Sequence, residues 1–182
     1  MTKQLSQQLI NTWEWLDAFC LTQRGDCNLA CGQHAIVVVQ IDDFISIREK
    51  LGEERTAELL SNMENLMKEY ALDDTLVARY NDYTFAVVLH YLTGRDEIME
   101  ICEEIRESIN NAKKKWKDQV TVSVGAAECH HDPKEGYKCA TRLALEALAE
   151  AKLVKDTSVI APDTLKPHPL AVEKMQEEKG RA

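Results

Sequence analysis

The sequence predicts an α+β domain, in which helices pack on one face of a mainly antiparallel sheet. Three observations predict this class. Residues 35–41 form an almost continuous β-branched run, residues 76–90 read as two strands around a tight turn, and several segments carry apolar residues at helical spacing. The predicted order along the chain is helix, strand, two helices, hairpin, helix, strand, helix.

The first predicted element is a helix over residues 4–22, because its apolar residues recur every three or four positions. They are Leu5, Leu9, Trp13, Leu16 and Cys20. Trp13 and Trp15 are two positions apart and lie on different sides of a helix. Trp15 is therefore expected either to face solvent or a partner, or to pack against the loop at residues 23–32 of its own chain. Glycines mark a loop over residues 23–32. The run 35–41 then predicts a strand that is buried on both faces, at the centre of the sheet.

Two helices and a hairpin are expected next. A short helix over residues 44–51 should end at Gly52. A longer helix is predicted by the apolar residues Leu59, Leu60, Met63, Leu66, Met67 and Tyr70. Residues 76–90 should then form two antiparallel strands around a turn at Asn81 and Asp82.

The rest of the domain alternates helices with strands. A helix is predicted by Ile98, Ile101, Cys102, Ile105 and Ile109. Valines alternate with Thr121 and Ser123 over residues 120–124, which is the period of a half-buried strand. Residues 143–154 are rich in alanine and predict another helix, and Ser158–Ile160 is expected to add a short edge strand.

The composition changes near residue 160. Prolines at 162, 167 and 169 break regular structure, and the final residues VEKMQEEKGRA are mostly charged. We therefore expect one domain over residues 1–160 and a charged, proline-containing tail over residues 161–182.

Composition and charge disfavour several classes of function. The chain has 182 residues, a net charge of −9 and an apolar fraction of 45%, which fits a globular domain. Its negative charge disfavours binding to nucleic acids and to anionic membranes, and no apolar run reaches the roughly 20 residues of a membrane helix. The first residues lack a signal-peptide pattern, and the six cysteines are expected to be reduced thiols. We therefore expect a cytoplasmic protein.

Four segments together resemble one family. They are VVVQIDDFISIREKLGEE, ARYNDYTFAVVL, VTVSVGAAE and ALEALAEAK, in this order. They are similar to motifs of the GGDEF domain, the fold of diguanylate cyclases, written D-I-D-x-F-K-x-I-N-D-x-x-G-H, A-R-Y-G-G-D-E-F-A-V-L-L, V-T-V-S-I-G-V-A and A-D-x-A-L-Y-x-A-K. The resemblance covers residues 5–159 and implies a nucleotidyl-cyclase-like fold, which is a ferredoxin-like palm.

The resemblance fails at the positions that carry the family's chemistry. Family members join two GTP molecules held by two facing domains, and acidic residues in the first strand and in the hairpin bind the metal ions. Those two positions are Gln40 and Tyr83 here, and the next hairpin position, normally Glu, is Thr84. Asn81 and Asp82 replace two glycines that let the phosphates approach the backbone. No catalytic residue and no bound metal are therefore expected.

The family's nucleotide-recognition positions are changed as well. The Asn and Asp that read guanine in the family fall at Arg48 and Ala57. The Arg-x-x-Asp site that binds the inhibitory product, cyclic di-GMP, falls at Leu72 and Thr75. The resemblance therefore predicts that this product does not bind there.

A residual nucleotide site could use Asp42, Asp43 and Lys152. Lys152 matches a phosphate-binding lysine of the family, whereas the nearby arginine position is Asp156. Asp42 and Asp43 could also hold a metal, but Asp43 and Lys152 have ordinary interpretations as well. Asp43 is suited to capping the next helix, and a lysine at a helix end usually faces water.

Two further features are open to a functional interpretation. Asp82 would enter the site only if the hairpin register slipped by one residue, which reverses the strand faces, so a turn role for Asn81 and Asp82 is favoured. Cysteines and histidines could bind a soft metal, although neither group has a zinc-finger spacing. These groups are Cys27, Cys31 and His34, and Cys129, His130 and His131.

These observations predict a degenerate, catalytically inactive GGDEF-like domain that acts as a regulatory or scaffolding module in bacterial signalling. Its partner would be another protein or a second copy bound through the same face, with no cofactor, nucleic acid or membrane. The candidate contact residues are Trp15, Asn81, Asp82 and Tyr83. The alternative is a sensor that binds GTP or cyclic di-GMP in a remodelled pocket. An enzyme of different chemistry would need a metal-ligand set that the sequence does not supply.

Overall fold

The computed structural model describes residues 33–70, 76–116, 120–129 and 136–162. The predicted N-terminal helix, with Trp13 and Trp15, and the predicted tail beyond Pro162 lie outside these residues. The described elements are β1 (Gln33–Ile41), α1 (Phe44–Tyr70), β2 (Leu76–Asn81), β3 (Thr84–Leu92), α2 (Arg95–Trp116), β4 (Val122–Cys129), α3 (Gly136–Val154) and β5 (Ser158–Ile160). Among these elements, none of the helices has the length and apolar character that crossing a membrane requires.

The strands form one sheet in the order β2-β3-β1-β4-β5. β1 pairs antiparallel with β3 and with β4, and β2 pairs antiparallel with β3, whereas β5 runs parallel to β4. The sheet is therefore mainly antiparallel, which confirms the predicted α+β class. β1 lies at its centre, as the β-branched run indicates.

Helices cover both faces of this sheet. Val37 and Val39 of β1 lie in a core formed with α1 and α2, whereas Ile36 and Val38 lie in a second core formed with α3. The expectation that the helices pack on one face is therefore wrong. The physical reason lies in β1 itself, because a strand that is apolar on both sides must be covered on both sides.

The predicted break at Gly52 is confirmed. α1 is kinked at this residue, whose φ of 78° and ψ of 173° are not helical. Glycine adopts a positive φ without the steric cost that a Cβ imposes. The hydroxyl of Thr56 donates a hydrogen bond to the Gly52 carbonyl at 2.7 Å, so this backbone acceptor at the break has a partner. The short first part of α1 is thereby set apart from the long second part.

The prediction that residues 120–124 form a half-buried strand is wrong in its burial. β4 continues to Cys129, and Ser123 is as fully buried as Val124. α3 packs directly on this strand at Gly125, where a Cβ atom would lie 2.2 Å from the backbone nitrogen of Leu148. The close approach explains why the polar side of the strand is covered.

Two smaller features complete the described core. Cys102 is a free thiol in the core beneath α1 and α2, and burial raises its pKa to about 12, so it remains protonated. Ala161 is buried and its amide donates to the carbonyl of Ala126 at 2.8 Å. The packed domain therefore includes this first residue of the predicted tail.

Candidate functional site

Buried polar side chains gather where β1 ends. Six polar or charged residues are buried in the described part of the chain, and four of them lie at or beside this end of the sheet: Gln40, Asp42, Thr84 and Ser123. Buried polar groups are costly unless they are hydrogen-bonded. This end of the sheet is therefore the candidate functional site, and the partners of each group define what it can do.

Gln40 and Thr84 satisfy each other. They are direct cross-strand neighbours in the β1–β3 register, and the Gln40 Nε2 donates to the Thr84 Oγ1 at 2.8 Å. Both side chains are buried. These are the positions at which the family resemblance places a metal-binding acid and the hairpin glutamate. Here they hold a neutral, hydrogen-bonded pair.

Asp42 is a buried carboxylate that accepts three hydrogen bonds. Thr121 Oγ1 donates at 2.8 Å, Ser123 Oγ donates at 2.7 Å, and the backbone nitrogen of Asp156 donates at 3.1 Å. Hydrogen bonds to an ionised group are stronger than those between neutral groups. Asp42 therefore ties β1 to β4 and to the turn between α3 and β5.

Asp43 stands at the start of α1, as the capping interpretation expected. Its carbonyl accepts the first helical hydrogen bond, from the amide of Ile47 at 3.0 Å. Its carboxylate does not cap the helix and instead accepts two hydrogen bonds from Lys155 Nζ, at 2.6 and 2.9 Å. These bonds raise the pKa of Lys155 above its usual value.

The lysine that contacts Asp43 is Lys155, not the predicted Lys152. Lys152 lies exposed in the last turn of α3, and Lys155 is the cation that contacts Asp43. Sequence reasoning missed Lys155 because it lies in the turn beyond the helix, and its backbone has a positive φ of 63°. That conformation, which redirects the side chain, carries no clear signal in a lysine.

Asp156, at the family's arginine position, is balanced by a cation from another helix. Arg106 of α2 donates to its Oδ1 at 3.1 Å, and the Nδ2 of Asn110 donates to the same oxygen at 2.9 Å. Arg106 also contacts Glu103, and this guanidinium lowers the pKa of the Glu103 carboxyl. α2 therefore supplies the cation that offsets the charge of Asp156.

The hairpin turn lies one residue later than expected. β2 extends to Asn81 and β3 begins at Thr84, so the two turn residues are Asp82 and Tyr83. The Asn81 Oδ1 accepts the amide of Tyr83 at 3.0 Å, which gives this side chain the turn role that the sequence favoured. Arg79 Nη2 donates to the Asp82 carbonyl at 2.6 Å and closes the turn from the other side.

A register shift occurs in the hairpin, but it does not carry Asp82 into the site. The pairing shifts by one residue between Arg79 and Asn81, immediately before the turn. Phe85, the next residue of β3 after Thr84, remains in the core. Asp82 is exposed at the tip of the turn.

Tyr83 fastens the turn to the start of α1. Its ring stacks on Phe44 with centroids 4.8 Å apart and an interplanar angle of 18°, and its carbonyl accepts the amide of Ile41 at 3.2 Å. Tyr83 is half-buried as a result. The three hairpin residues proposed for partner contact are therefore contiguous, with Asn81 and Asp82 exposed and Tyr83 packed at their base.

The N-terminal segment and the C-terminal tail join the described domain at the end opposite the hairpin. Gln33, where β1 begins, pairs with Leu92, whereas the hairpin turn lies beside Gln40 at the other end of β1. β5 runs parallel to β4 and leads to Pro162, away from the turn. The segment with Trp15 and the tail therefore attach at the end opposite the hairpin.

The side chains at the site do not fit the metal ions that the family's chemistry uses. Magnesium prefers carboxylate and other oxygen ligands. Gln40 and Thr84 are neutral and bonded to each other, and the oxygens of Asp42 already accept three donors. In the described ranges, no group of three or more His, Cys, Asp or Glu side chains is placed to hold a metal ion.

The cysteine and histidine clusters fall largely outside the described residues. Cys27, Cys31, His130 and His131 lie in ranges that the structure does not describe. The backbone of His34 is paired directly opposite that of Cys129, at the end of β1 remote from the hairpin. One residue of each cluster is therefore paired with the other across β1 and β4. A shared metal site stays a hypothesis from the sequence.

The sheet and its helices together define a domain of the nucleotidyl-cyclase-like class. A family model described as "Diguanylate cyclase, GGDEF domain" matches residues 20–157. The chain belongs to the GGDEF family. No curated protein sequence matches the chain.

Solved structures of bacterial GGDEF domains share this fold. The active GGEEF domain of a diguanylate cyclase from Vibrio cholerae has a TM-score of 0.72 at 19% identity, covering 86% of this chain and all of that one. The GGDEF domain of DgcB from Caulobacter crescentus, solved with c-di-GMP, has a TM-score of 0.69 at 21% identity, covering 85% of this chain and 90% of that one.

A further similar structure contains a partner protein. Diguanylate cyclase SiaD from Pseudomonas aeruginosa, solved in complex with its activator SiaC, has a TM-score of 0.66 at 20% identity. The match covers 84% of this chain and 59% of that chain. At this identity the likeness concerns the fold.

The buried Gln40–Thr84 pair generates a stability prediction. Thr84→Val removes the acceptor and leaves the Gln40 amide buried without it, which should lower the free energy of unfolding by roughly 1–3 kcal/mol. The double variant Gln40→Leu/Thr84→Val removes both polar groups and should recover most of that loss. Urea unfolding of the three proteins measures both effects. An unchanged free energy of unfolding in Thr84→Val would contradict the pairing.

Proposed function

We propose that this chain is a catalytically inactive GGDEF domain that regulates or scaffolds another protein by binding it. The observation that carries the proposal is the buried, neutral pair of Gln40 and Thr84 at the place of the family's acidic residues. A pair of this kind is satisfied within the domain and offers no charge to a metal–triphosphate complex.

The rest of the site supports the inactive assignment. Tyr83 occupies the other metal position, and its ring is packed against Phe44. Asp42, two residues after Gln40, accepts hydrogen bonds from Thr121, Ser123 and the backbone of Asp156. Enzymes usually gain most of their rate enhancement by stabilising the charge that develops in the transition state. A site without a free carboxylate for the metal lacks the means to provide that stabilisation.

Protein binding is the function that remains consistent with a maintained fold. The altered turn presents Asn81 and Asp82 at the surface, and Trp15 lies in the segment that joins the opposite end. SiaD, which shares this fold, was solved in complex with an activator protein. We propose that the partner is another protein, or a second copy bound through the hairpin face. Because its cysteines are suited to a reducing compartment, we propose a cytoplasmic location in a bacterial signalling system.

A nucleotide sensor is the second candidate, and one observation favours it. Lys152 and Lys155 lie at the surface near the end of α3, where an incoming phosphate could reach them. Against it, the carboxylate of Asp42 is buried and already accepts three hydrogen bonds within the domain. Titration calorimetry with GTP and with cyclic di-GMP, in the presence of magnesium, separates a sensor from a protein-binding module.

The first prediction is that the purified protein does not convert GTP to cyclic di-GMP. The reason is that Gln40 and Tyr83 supply no carboxylate for the metal. Product is measured by chromatography after incubation with magnesium and GTP, with an active GGDEF domain assayed in parallel and a no-protein control. Magnesium-dependent product above that control would sink the inactive assignment.

The second prediction concerns Trp15, which the sequence places outside the buried stripe of the N-terminal helix. Trp15→Ala should weaken partner binding more than it lowers the melting temperature, because exposed aromatic residues often dominate interfaces. Trp13→Ala, the matched control, should do the reverse. The partner is identified by capture from the native cell and then purified, and its affinity is measured for each variant. If Trp15→Ala unfolds the domain without a separate binding defect, the residue belongs to the core.

A further inference from the structure

Backbone strain is concentrated at one point of the molecule. In the described part of the chain, the non-glycine residues with positive φ are Asp43 (48°), Lys155 (63°) and Asp156 (45°). Such residues are sterically unfavourable, and they persist where surrounding contacts over-determine them. All three lie in the two turns that meet beside the end of β1, so the strain marks a junction rather than scattered irregularities.

The junction is held by contacts of two different kinds. The backbone amide of Asp156 donates to the buried carboxylate of Asp42, and the Asp156 side chain accepts from Arg106 and Asn110. These contacts are partly buried. The ion pair of Lys155 with Asp43 is exposed, with side-chain exposures of 51% and 60%. The junction therefore has a fixed inner part and an outer part that solutes can reach.

The exposed pair is connected to the hairpin by consecutive residues. Asp43 immediately precedes Phe44, whose ring stacks on Tyr83 of the turn. Tyr83 in turn accepts the amide of Ile41, two residues before Asp43. A change in the backbone of Asp43 therefore acts on both of the contacts that fasten the turn to the domain.

We propose that the Asp43–Lys155 ion pair is a latch that holds the hairpin turn in place, and that an anion competing for Lys155 opens it. With the pair closed, Asp43 is kept in its strained conformation and Phe44 packs on Tyr83. With Lys155 engaged by an anion, Asp43 relaxes and the Phe44–Tyr83 contact loosens. The bond between Asp156 and Asp42 stays intact and serves as the hinge.

The latch would regulate the surface that carries the partner-contact residues. Asn81 and Asp82 lie directly before Tyr83, so loosening the turn changes the surface that they form. This consequence rests on the proposed function, whereas the latch is a property of the domain alone. A phosphate or carboxylate group is the chemistry that the exposed ammonium of Lys155 would recognise.

The test is nuclear magnetic resonance on the full chain, with Asp43→Asn and Lys155→Gln as the latch variants. Asparagine tolerates a positive φ, so Asp43→Asn removes charge without adding backbone strain. Exchange of the Ile41 amide should quicken by roughly tenfold in both variants. The ring signals of Tyr83 should shift, while amides at the centre of β1, such as Val38, should stay protected.

A matched control comes from a second exposed ion pair. Arg142 and Glu146 of α3 have side-chain exposures of 60% and 59%. Arg142→Gln therefore removes one cation from a comparably exposed pair outside the junction. It should leave the Ile41 amide and the Tyr83 ring unchanged. Equal effects of the latch and control variants, or an equal rise in exchange throughout β1, would overturn the proposal.

Inorganic phosphate tests the opening step. Phosphate added to the unmodified chain should shift the Tyr83 ring signals in the same direction as Lys155→Gln does. Sodium chloride at equal ionic strength should have a smaller effect, and Lys155→Gln should no longer respond to phosphate. Identical responses to the two salts would overturn opening by a competing anion. Because no partner and no GTP turnover enter the measurement, its outcome is independent of whether the proposed function holds.

Discussion

The buried carboxylate of Asp42 is the contact on which the hairpin end of the domain depends. It accepts hydrogen bonds from the hydroxyls of Thr121 and Ser123 and from the backbone amide of Asp156. A buried charge is costly without such partners, and removing one of them exposes that cost. The carboxylate thereby fixes three chain segments relative to one another: the end of β1, the start of β4 and the turn that follows α3.

The neighbouring contacts depend on the position of Asp42. The turn after α3 is held where Lys155 reaches Asp43 and where Asp156 meets Arg106 of α2. Between β1 and β3, the neutral side chains of Gln40 and Thr84 form a hydrogen bond next to the hairpin turn. In this GGDEF-family domain, the end of the sheet that carries the family's chemistry is thus filled by contacts that the domain makes with itself.

The sequence predicted features that depend on local rules. The β-branched run of β1 placed it at the centre of the sheet, and Gly52 marked a break because only its backbone fits there without cost. The sequence did not reveal that Ser123 is buried, because polar residues that alternate with valines are equally typical of a strand with one solvent-exposed face. Coverage by α3 decides that burial, and the coverage depends on tertiary packing at Gly125.

The site was only partly predictable for the same reason. Asp42 and Asp43 were named as candidate residues from the sequence, but their partners lie more than 70 residues away along the chain. Lys152 was chosen on family position, whereas the ion pair is made by Lys155, whose direction depends on an unusual backbone angle. The turn was predicted one residue too early, because the register shift between β2 and β3 after Arg79 has no signal in the sequence.

Whether the end of β1 holds a metal ion is tested most directly by the binding of a paramagnetic divalent ion. Manganese would be titrated into the isotope-labelled chain with GTP present, and the amide signals of Gln40, Asp42, Tyr83 and Thr84 would be followed. These signals should broaden no more than those of exposed acidic residues on α2, such as Glu100 and Glu107. Selective, saturable broadening at the end of β1 would show that a metal–nucleotide site remains and would contradict the account.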